Sequence, residues 1–369
     1  MRFVSGLMLA GAVALSATAA QAGAIAPNAT PITFDPGIGS NITVSGALSG
    51  LAFYQSNPEH AAPGDSTTWA DLSNAWVGIA KTDGFFQFDV QAGLYDFPTL
   101  GNPYEKASNT NSDTFGAIPI AYAKFQLSDT FSVSAGKLPT LVGAELPFTT
   151  QNINIERGLL WWQEPLVSRG VQANYASGPL SIAVSWNDGY YTNVWNSFSG
   201  LISYAFDSAN TLAFDTTITE DTASTTGHQL YNLMYTYSSG DWMVGPYAQY
   251  ESYDHDGGSE WGVGVLASYQ LTPTWSLNGR VEYEGTTDAG LEYAYPFPGF
   301  EKADAFSITF TPTWQKGIFF ARGELSYTDL PTYAHINLGP PVGTIGVGFG
   351  ETGAKSNQFR AMVETGISF

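Results

Sequence analysis

The chain contains no cysteine and few basic residues, with 13 Lys and Arg against 33 Asp and Glu and a formal net charge of −20. Without cysteine the protein has neither disulfides nor thiol chemistry. The acidic balance argues against nucleic acid as a partner, because binding to phosphates relies on Lys and Arg. Hydrophobic residues nevertheless make up 44% of the chain and aromatic residues 14%, unlike the composition of disordered proteins. The chain is therefore expected to fold.

Long apolar runs are also missing, except for one at the start. A basic Met1-Arg2 is followed by an apolar stretch from Leu7 to Leu15 and by Ala20-Gln21-Ala22, the layout of a cleavable secretory signal. The run is shorter than the ~20 residues of a spanning helix, which disfavours a membrane anchor. We therefore predict export and cleavage after Ala22. If the mature chain crosses a bilayer, it must do so as a closed barrel, since no later segment is apolar enough for a helix.

Apolar and polar residues alternate with period two along most of the chain, which indicates β-strands with one apolar face. In the segment 274–285, for example, Arg280, Glu282 and Glu284 fall on one face and Trp275 and Tyr283 on the other. Sixteen such segments are predicted, at 42–54, 70–81, 85–95, 117–128, 130–138, 169–176, 179–187, 197–206, 210–219, 228–238, 241–253, 259–270, 274–285, 303–314, 317–328 and 356–369.

Short and long connections alternate between these segments. Tight turns such as Ser239-Gly240 are followed by long segments such as 96–116, 139–168 and 329–355. This rhythm, with an even strand count and both ends on the short-turn side, is typical of outer-membrane barrels. The pattern predicts an all-β fold, a transmembrane antiparallel up-and-down β-barrel of about 16 strands. The range is 14–18, because Val342 to Phe349 could form another strand.

Aromatic residues favour this barrel over a soluble sandwich, which would show the same alternation. They recur eight residues apart on apolar faces, so that tilted strands would carry them about 20 Å up an apolar band of about 25 Å. The pairs are Trp242 and Tyr250, Trp275 and Tyr283, and Phe319 and Tyr327. We predict a signal peptide at residues 1–22, a short periplasmic segment at 23–40 and the barrel at 41–369.

Charged residues on the polar faces are the candidates for a channel lining. They are predicted to be Asp89, Lys124, Arg169, Glu251, Arg280, Glu282, Glu284, Arg322, Glu324, Arg360 and Glu364. Opposed rows of basic and acidic groups would create a transverse field that screens solutes. Neighbouring ion pairs that neutralise one another would explain the same residues.

The long loop from Pro139 to Leu166 follows the fifth predicted strand and is the candidate constriction. Its chemically notable residues are Glu145, Glu156, Arg157, Trp161, Trp162 and Glu164. The two tryptophans would offer a stacking surface for sugar rings. A packed surface loop or a subunit contact is the alternative interpretation.

The sequence contains no complete enzyme motif. The run from Gly348 to Ser356 resembles a phosphate loop, but Ala354 separates Gly353 from Lys355 and no helix is expected to follow. Asp254-His255-Asp256 resembles a metal cluster but lacks a defined coordination shell. No catalytic residue, cofactor or metal is therefore expected.

The signal, the alternating strands, the loop rhythm and the terminal Ile367-Ser368-Phe369 resemble a Gram-negative outer-membrane porin. The stretch from Gly136-Lys137 to Gly170 is similar to the OmpL-like porins called β-barrel porin 2. The resemblance implies transport by a water-filled channel in the outer membrane, through which small hydrophilic solutes or ions diffuse. It also implies Phe369 as the membrane insertion signal.

The resemblance implies several partners: the barrel-insertion machinery, outer-membrane lipid, lipopolysaccharide and, in a homotrimer, two further copies. Two alternatives stay open. One is a channel that prefers sugars or other organic solutes, and the other is a non-conducting adhesin or structural barrel.

Overall fold

The computed structural model describes residues 24–26, 28, 30–37, 41–58, 66–222, 227–254, 258–287, 303–332, 335–337, 344–346, 348–350 and 353–369. The predicted signal peptide lies outside these residues. The strands are β1 Ile32–Phe34, β2 Ile42–Gln55, β3 Thr68–Lys81, β4 Phe86–Tyr95, β5 Ile120–Gln126, β6 Phe131–Pro139, β7 Val167–Ser177, β8 Leu180–Asn187, β9 Ser197–Ala205, β10 Asn210–Thr219, β11 His228–Ser239, β12 Trp242–Tyr253, β13 Ser259–Thr272, β14 Trp275–Thr286, β15 Asp304–Lys316, β16 Phe319–Thr332, β17 His335–Asn337, β18 Thr344–Gly346 and β19 Asn357–Ser368.

Sixteen of these strands form one closed antiparallel barrel, which confirms the predicted fold class. Each strand from β2 to β16 pairs with its neighbours in the chain, and β19 pairs with both β16 and β2 to close the cylinder. The closing register runs from Arg360 opposite Gln55 to Ser368 opposite Ala47. Within the described part of the Val342 to Phe349 stretch, β18 pairs with β17 in a separate hairpin rather than joining the barrel.

The outer face of the barrel is apolar, as the alternation predicts. Five of the six aromatics spaced eight residues apart are 38–57% exposed, namely Trp242, Tyr250, Trp275, Phe319 and Tyr327. An exposed apolar surface that encircles the protein is stable only against lipid. The short turns that join consecutive strands at one end of the barrel use residues that tolerate a left-handed backbone, such as Gly178 (φ 57°) and Gly240 (φ 62°).

The N-terminal segment lies against the end of the barrel that carries the short turns. Strand β1 pairs with Ile42–Val44 of β2, beyond the point where β19 ends. Before β1, the backbone of Ala26 forms two 2.8 Å hydrogen bonds with the side-chain amide of Gln315 on β15. The N–H of Ile25 donates to the carbonyl of Thr150 at 3.1 Å. Residues 25–26 therefore reach the loop between β6 and β7.

One short helix, α1 (Ala107–Asp113), lies in the connection between β4 and β5. Among the residues described above, no helix has the length and hydropathy to span a membrane.

Candidate functional site

The loop of residues 140–166 (L3) lies inside the barrel and is bound to the inner wall by ion pairs. Arg280 on β14 donates to Glu145 of L3 at 2.6 Å, and Arg360 on β19 donates to Glu156 of L3 at 2.7 Å. All four side chains are at least 96% buried. The predicted loop residues and the predicted wall residues are thus brought together in pairs.

Wall carboxylates also hold the backbone of L3. Glu324 on β16 accepts the N–H groups of Ile155 and Glu156, the latter at 2.8 Å. Glu282 on β14 accepts the N–H of Leu159 at 2.9 Å. Charge-assisted hydrogen bonds of this kind are stronger than neutral ones. The path of L3 is therefore set by the wall as well as by its own residues.

The most connected of these wall groups is Glu364 on β19. It pairs with Arg322 on β16 and accepts hydrogen bonds from Ser73 at 2.7 Å and from Thr149 of L3 at 2.8 Å. Arg322 in turn donates to the carbonyls of Thr149 and Asn152, both at 3.0 Å. One buried ion pair thus links two barrel strands to the loop.

Apolar residues also hold L3 against the wall, along strands β8–β13. Seven wall residues of these strands belong to one apolar cluster, which adjoins the charged row on β14–β19. The cluster comprises Leu141, Ala144, Ile153 and Leu160 of L3 with Ala183, Leu201, Ala213, Met234, Met243, Tyr247 and Leu266 of the wall. L3 therefore contacts the wall along β8–β13 as well as along β14–β19.

The tryptophans of L3 have different environments. Trp161 is 2% exposed and lies in an aromatic cluster, with ring centroids 5.4 Å from Phe97 and 6.0 Å from Trp162. Trp162 packs against the edge of this cluster and is partly exposed. The ring faces of Trp161 are therefore occupied by protein rather than open to a solute.

Three carboxylates form an acidic patch on β12–β14: Glu251, Glu260, which lies directly opposite it, and Glu284. The side chain of Gln163 from L3 donates to Glu260 at 2.5 Å and to Glu284 at 2.6 Å. His228 is 3.8 Å from Glu251. Within the described ranges none of the three carboxylates forms an ion pair with Lys or Arg. Among the described residues, this patch therefore has no Lys or Arg counter-charge.

Glu164 and Arg157 complete the predicted loop residues. Arg157 is buried and donates to the carbonyls of Leu146 and Pro147, both at 3.2 Å, so it stabilises the turn of L3 itself. Glu164 is 4% exposed. Burial, and then the charge of Asp215, raises the pKa of Glu164 well above its usual range.

The remaining wall candidates lie inward, with one exception. Lys124 is buried, and Asp89 is half-buried and accepts a hydrogen bond from Gln91. Arg169 is the exception, because on β7 it shares the face of Val171 and Tyr175, which are exposed to lipid. It lies at the outer end of the strand, pairs with Asp188 at 2.5 Å and stacks 3.9 Å from the ring of Tyr191. The prediction that Arg169 points inward is wrong.

Several residues that position L3 were not predicted. Gln163, Thr149 and Asp215 contact L3 or belong to it, yet nothing in their local sequence distinguishes them from other polar residues. Of the Asp254-His255-Asp256 cluster, the last two lie outside the described residues. In the ranges that the structure does describe, no three or more His, Cys, Asp or Glu are grouped so as to hold a metal ion.

Comparisons with solved structures show the same barrel. The anion-selective porin from Comamonas acidovorans superposes with a TM-score of 0.59 at 12% identity, over 89% of this chain and 99% of that one. The trimer form of OmpT from Vibrio cholerae has the same TM-score at 10% identity and the same coverage. The outer membrane channel DcaP of Acinetobacter baumannii reaches 0.58 at 14%, over 91% and 99%. At these identities the likeness establishes the fold alone.

Sequence comparison establishes the family. No curated protein sequence matches the chain. The sequence profile of the β-barrel porin-2, OmpL-like family matches residues 41–369, which is the whole barrel. The chain therefore belongs to the β-barrel porin-2, OmpL-like family and is an outer-membrane porin, a channel rather than an enzyme.

Proposed function

We propose that the protein is a narrow diffusion channel for small hydrophilic solutes, constricted by L3 and preferring cations. The observation that carries this proposal is the attachment of L3 across the lumen through Glu145–Arg280 and Glu156–Arg360. A sixteen-stranded barrel leaves an aqueous channel unless something occupies it. L3 occupies part of that cross-section, so solutes must pass beside it.

The charge balance of the lumen supports the preference for cations. The arginines of the wall are paired with carboxylates, as in the neighbouring ion pairs considered above, so their fields largely cancel. Glu251, Glu260 and Glu284 have no such basic partner in the described part of the chain. These carboxylates are as buried as the arginines, so when ionised they attract cations through the field in the lumen and not by direct contact with a solute.

Conductance measurements test this proposal. In planar bilayers with a salt gradient, we expect small channels whose reversal potential has the sign of cation preference. The triple variant Glu251→Gln, Glu260→Gln, Glu284→Gln should move the reversal potential toward zero. The matched control Glu105→Gln, Asp113→Asn, Glu220→Gln removes three exposed carboxylates and should move it little, because exposed charges are screened within about 10 Å at 0.1 M salt. Anion preference in the wild type would refute the proposal.

The burial of the lumen charges favours one alternative, a barrel that does not conduct. Arg280 and Arg322 are 1% and 2% exposed because L3 covers them, so they do not line open water. A non-conducting structural barrel would give no current in the same bilayers. The sugar-preferring alternative has less support, since the rings of Trp161 are covered.

The N-terminal segment offers a further test of the channel path. With cleavage after Ala22, Ile25 and Ala26 would lie near the mature N-terminus and cover Thr150 from the periplasmic side. Deleting residues 23–28 should raise several-fold the rate at which a Thr150→Cys variant reacts with a membrane-impermeant maleimide.

Gln315→Leu should act in the same direction as this deletion, because it removes both hydrogen bonds to Ala26. Gln126→Leu is the matched control, since Gln126 lies at the same end of β5 and contacts only its own turn. Equal labelling rates in all variants would show that the segment does not cover L3.

The other partners are also proposals. We propose that the subunit contact of a homotrimer lies at a depression of about 660 Å³ on the barrel wall, where the small residues Ala52, Gly323 and Ala361 lie among larger apolar ones such as Tyr54 and Leu325. Phe369 pairs with Gly46 through two backbone hydrogen bonds of 2.9 and 3.0 Å, so it continues the last strand of the barrel. We propose that this aromatic residue is the signal that the insertion machinery reads. Exposed outer-loop acids such as Glu105 and Asp113 would share divalent ions with lipopolysaccharide.

A further inference from the structure

Two carboxylates meet where L3 approaches β10 and β11, roughly across the lumen from β19 and β2. Asp215 on β10 is 0% exposed and Glu164 of L3 is 4% exposed. Both converge on Gly143. Its N–H lies 3.4 Å from each oxygen of Asp215, and a Cβ placed on it would be 1.7 Å from Oε2 of Glu164. The Glu164 carboxylate thus fills the space that a side chain at position 143 would take.

A third oxygen lies beside this pair. Asn232 on β11 is directly opposite Asp215, and its amide nitrogen donates to Oδ1 of Asp215 at 3.1 Å. Oδ1 of Asn232 and Oε2 of Glu164 have no hydrogen-bond partner, although the two residues are 98% and 96% buried. Buried polar atoms of folded proteins nearly always have a partner. Asn232 is next to Asp215 through its hydrogen bond, and Glu164 is next to it through Gly143, so the two unpartnered acceptors flank Asp215 and indicate a ligand site there.

The surroundings favour a positive ligand. Leu201, Ala213 and Met234 lie next to the pair on the wall, and no Lys or Arg of the described residues contacts either carboxylate. Burying unpaired charge is strongly unfavourable. A proton shared by the two carboxylates would leave Oδ1 of Asn232 unsatisfied, whereas one cation can contact oxygens of all three residues.

We propose that Glu164, Asp215 and Asn232 form a binding site for a hard divalent cation, with calcium as the best fit. The donors are all oxygen, and the two carboxylates, deprotonated when the cation binds, carry a charge of −2 that matches a divalent ion. Calcium accepts irregular coordination and completes its shell with water. With two carboxylates the site is smaller than the groups of three or more acidic or His ligands mentioned above. The cation fastens L3 to β10 and β11, on strands that carry none of the arginine pairs, whether or not the channel conducts.

Terbium binding tests the site directly. In detergent-refolded protein free of lipopolysaccharide, Tb³⁺ luminescence excited through tryptophan should saturate at one ion per chain, and Ca²⁺ should displace it. Ca²⁺ should also raise the thermal unfolding temperature above its value in EDTA. Asp215→Asn and Glu164→Gln should each weaken binding by at least about tenfold, because affinity follows the count of charged ligands. Asp129→Asn, in an exposed turn, is the matched control and should bind as the wild type does.

A variant with the opposite expectation separates the site from general instability. Asn232→Asp adds a third carboxylate, so it should bind Tb³⁺ about tenfold more tightly and unfold at a lower temperature in EDTA. Binding that is absent in the wild type, or unchanged in Asp215→Asn, Glu164→Gln and Asn232→Asp alike, would overturn the proposal.

Discussion

Excision of L3 should raise the single-channel conductance several-fold. The two ends of the loop are adjacent, because the N–H of Thr140 donates to the carbonyl of Leu166 at 3.3 Å. Residues 141–165 can therefore be replaced by an Asn-Gly turn that continues the β6–β7 hairpin in register. Without L3 the sixteen-stranded barrel is open along its length, and the current should approach that of an unconstricted cylinder.

A variant that loosens L3 without removing it should have a smaller effect on conductance. Glu145→Gln with Glu156→Gln keeps L3 but removes its ion pairs with Arg280 and Arg360. Its conductance should lie between those of the wild type and the excised protein, with more frequent current fluctuations. Folding of every variant is checked by the heat-modifiable mobility of the barrel on gels. A folded excision variant with wild-type conductance would show that L3 is not the constriction.

The barrel itself was predictable because successive residues of a β-strand point to opposite faces of the sheet. The alternation in the sequence therefore shows which residues face lipid and which face the lumen. The segment predicted at 274–285 is β14, Trp275–Thr286, and Arg280 and Glu282 lie on its inner face as the alternation indicated. Lipid tolerates almost no charge on the outer face, so the pattern is strict there. The rule that a charged strand residue must face the lumen fails at Arg169. This residue lies at the outer end of β7, where its charge reaches water and Asp188 rather than lipid.

The filling of the lumen was not predictable from the same pattern. Period-two alternation shows that a residue faces inward but not what it contacts. Arg280 and Glu145 are 135 residues apart in the chain. L3 has no regular period, and its path depends on wall groups such as Glu324 and Glu282 that receive its backbone N–H groups. The acidic loop residues indicated a site, whereas its geometry required the folded barrel.

The ion pair between Arg322 and Glu364 should dominate the stability of this arrangement. Glu364 is 1% exposed and also accepts hydrogen bonds from Ser49, Ser73 and Thr149. Arg322→Met leaves that carboxylate buried without a counter-charge, and we expect a loss of about 3–5 kcal/mol in the free energy of unfolding. Denaturant titration of the protein refolded in micelles measures this loss.

The double variant Arg322→Met, Glu364→Gln should recover much of the loss, and Lys316→Met, at an exposed turn, should change little. If Arg322→Met cost less than about 1 kcal/mol, the value of an exposed pair, water would have to reach Glu364 and the contact between L3 and β19 would be open.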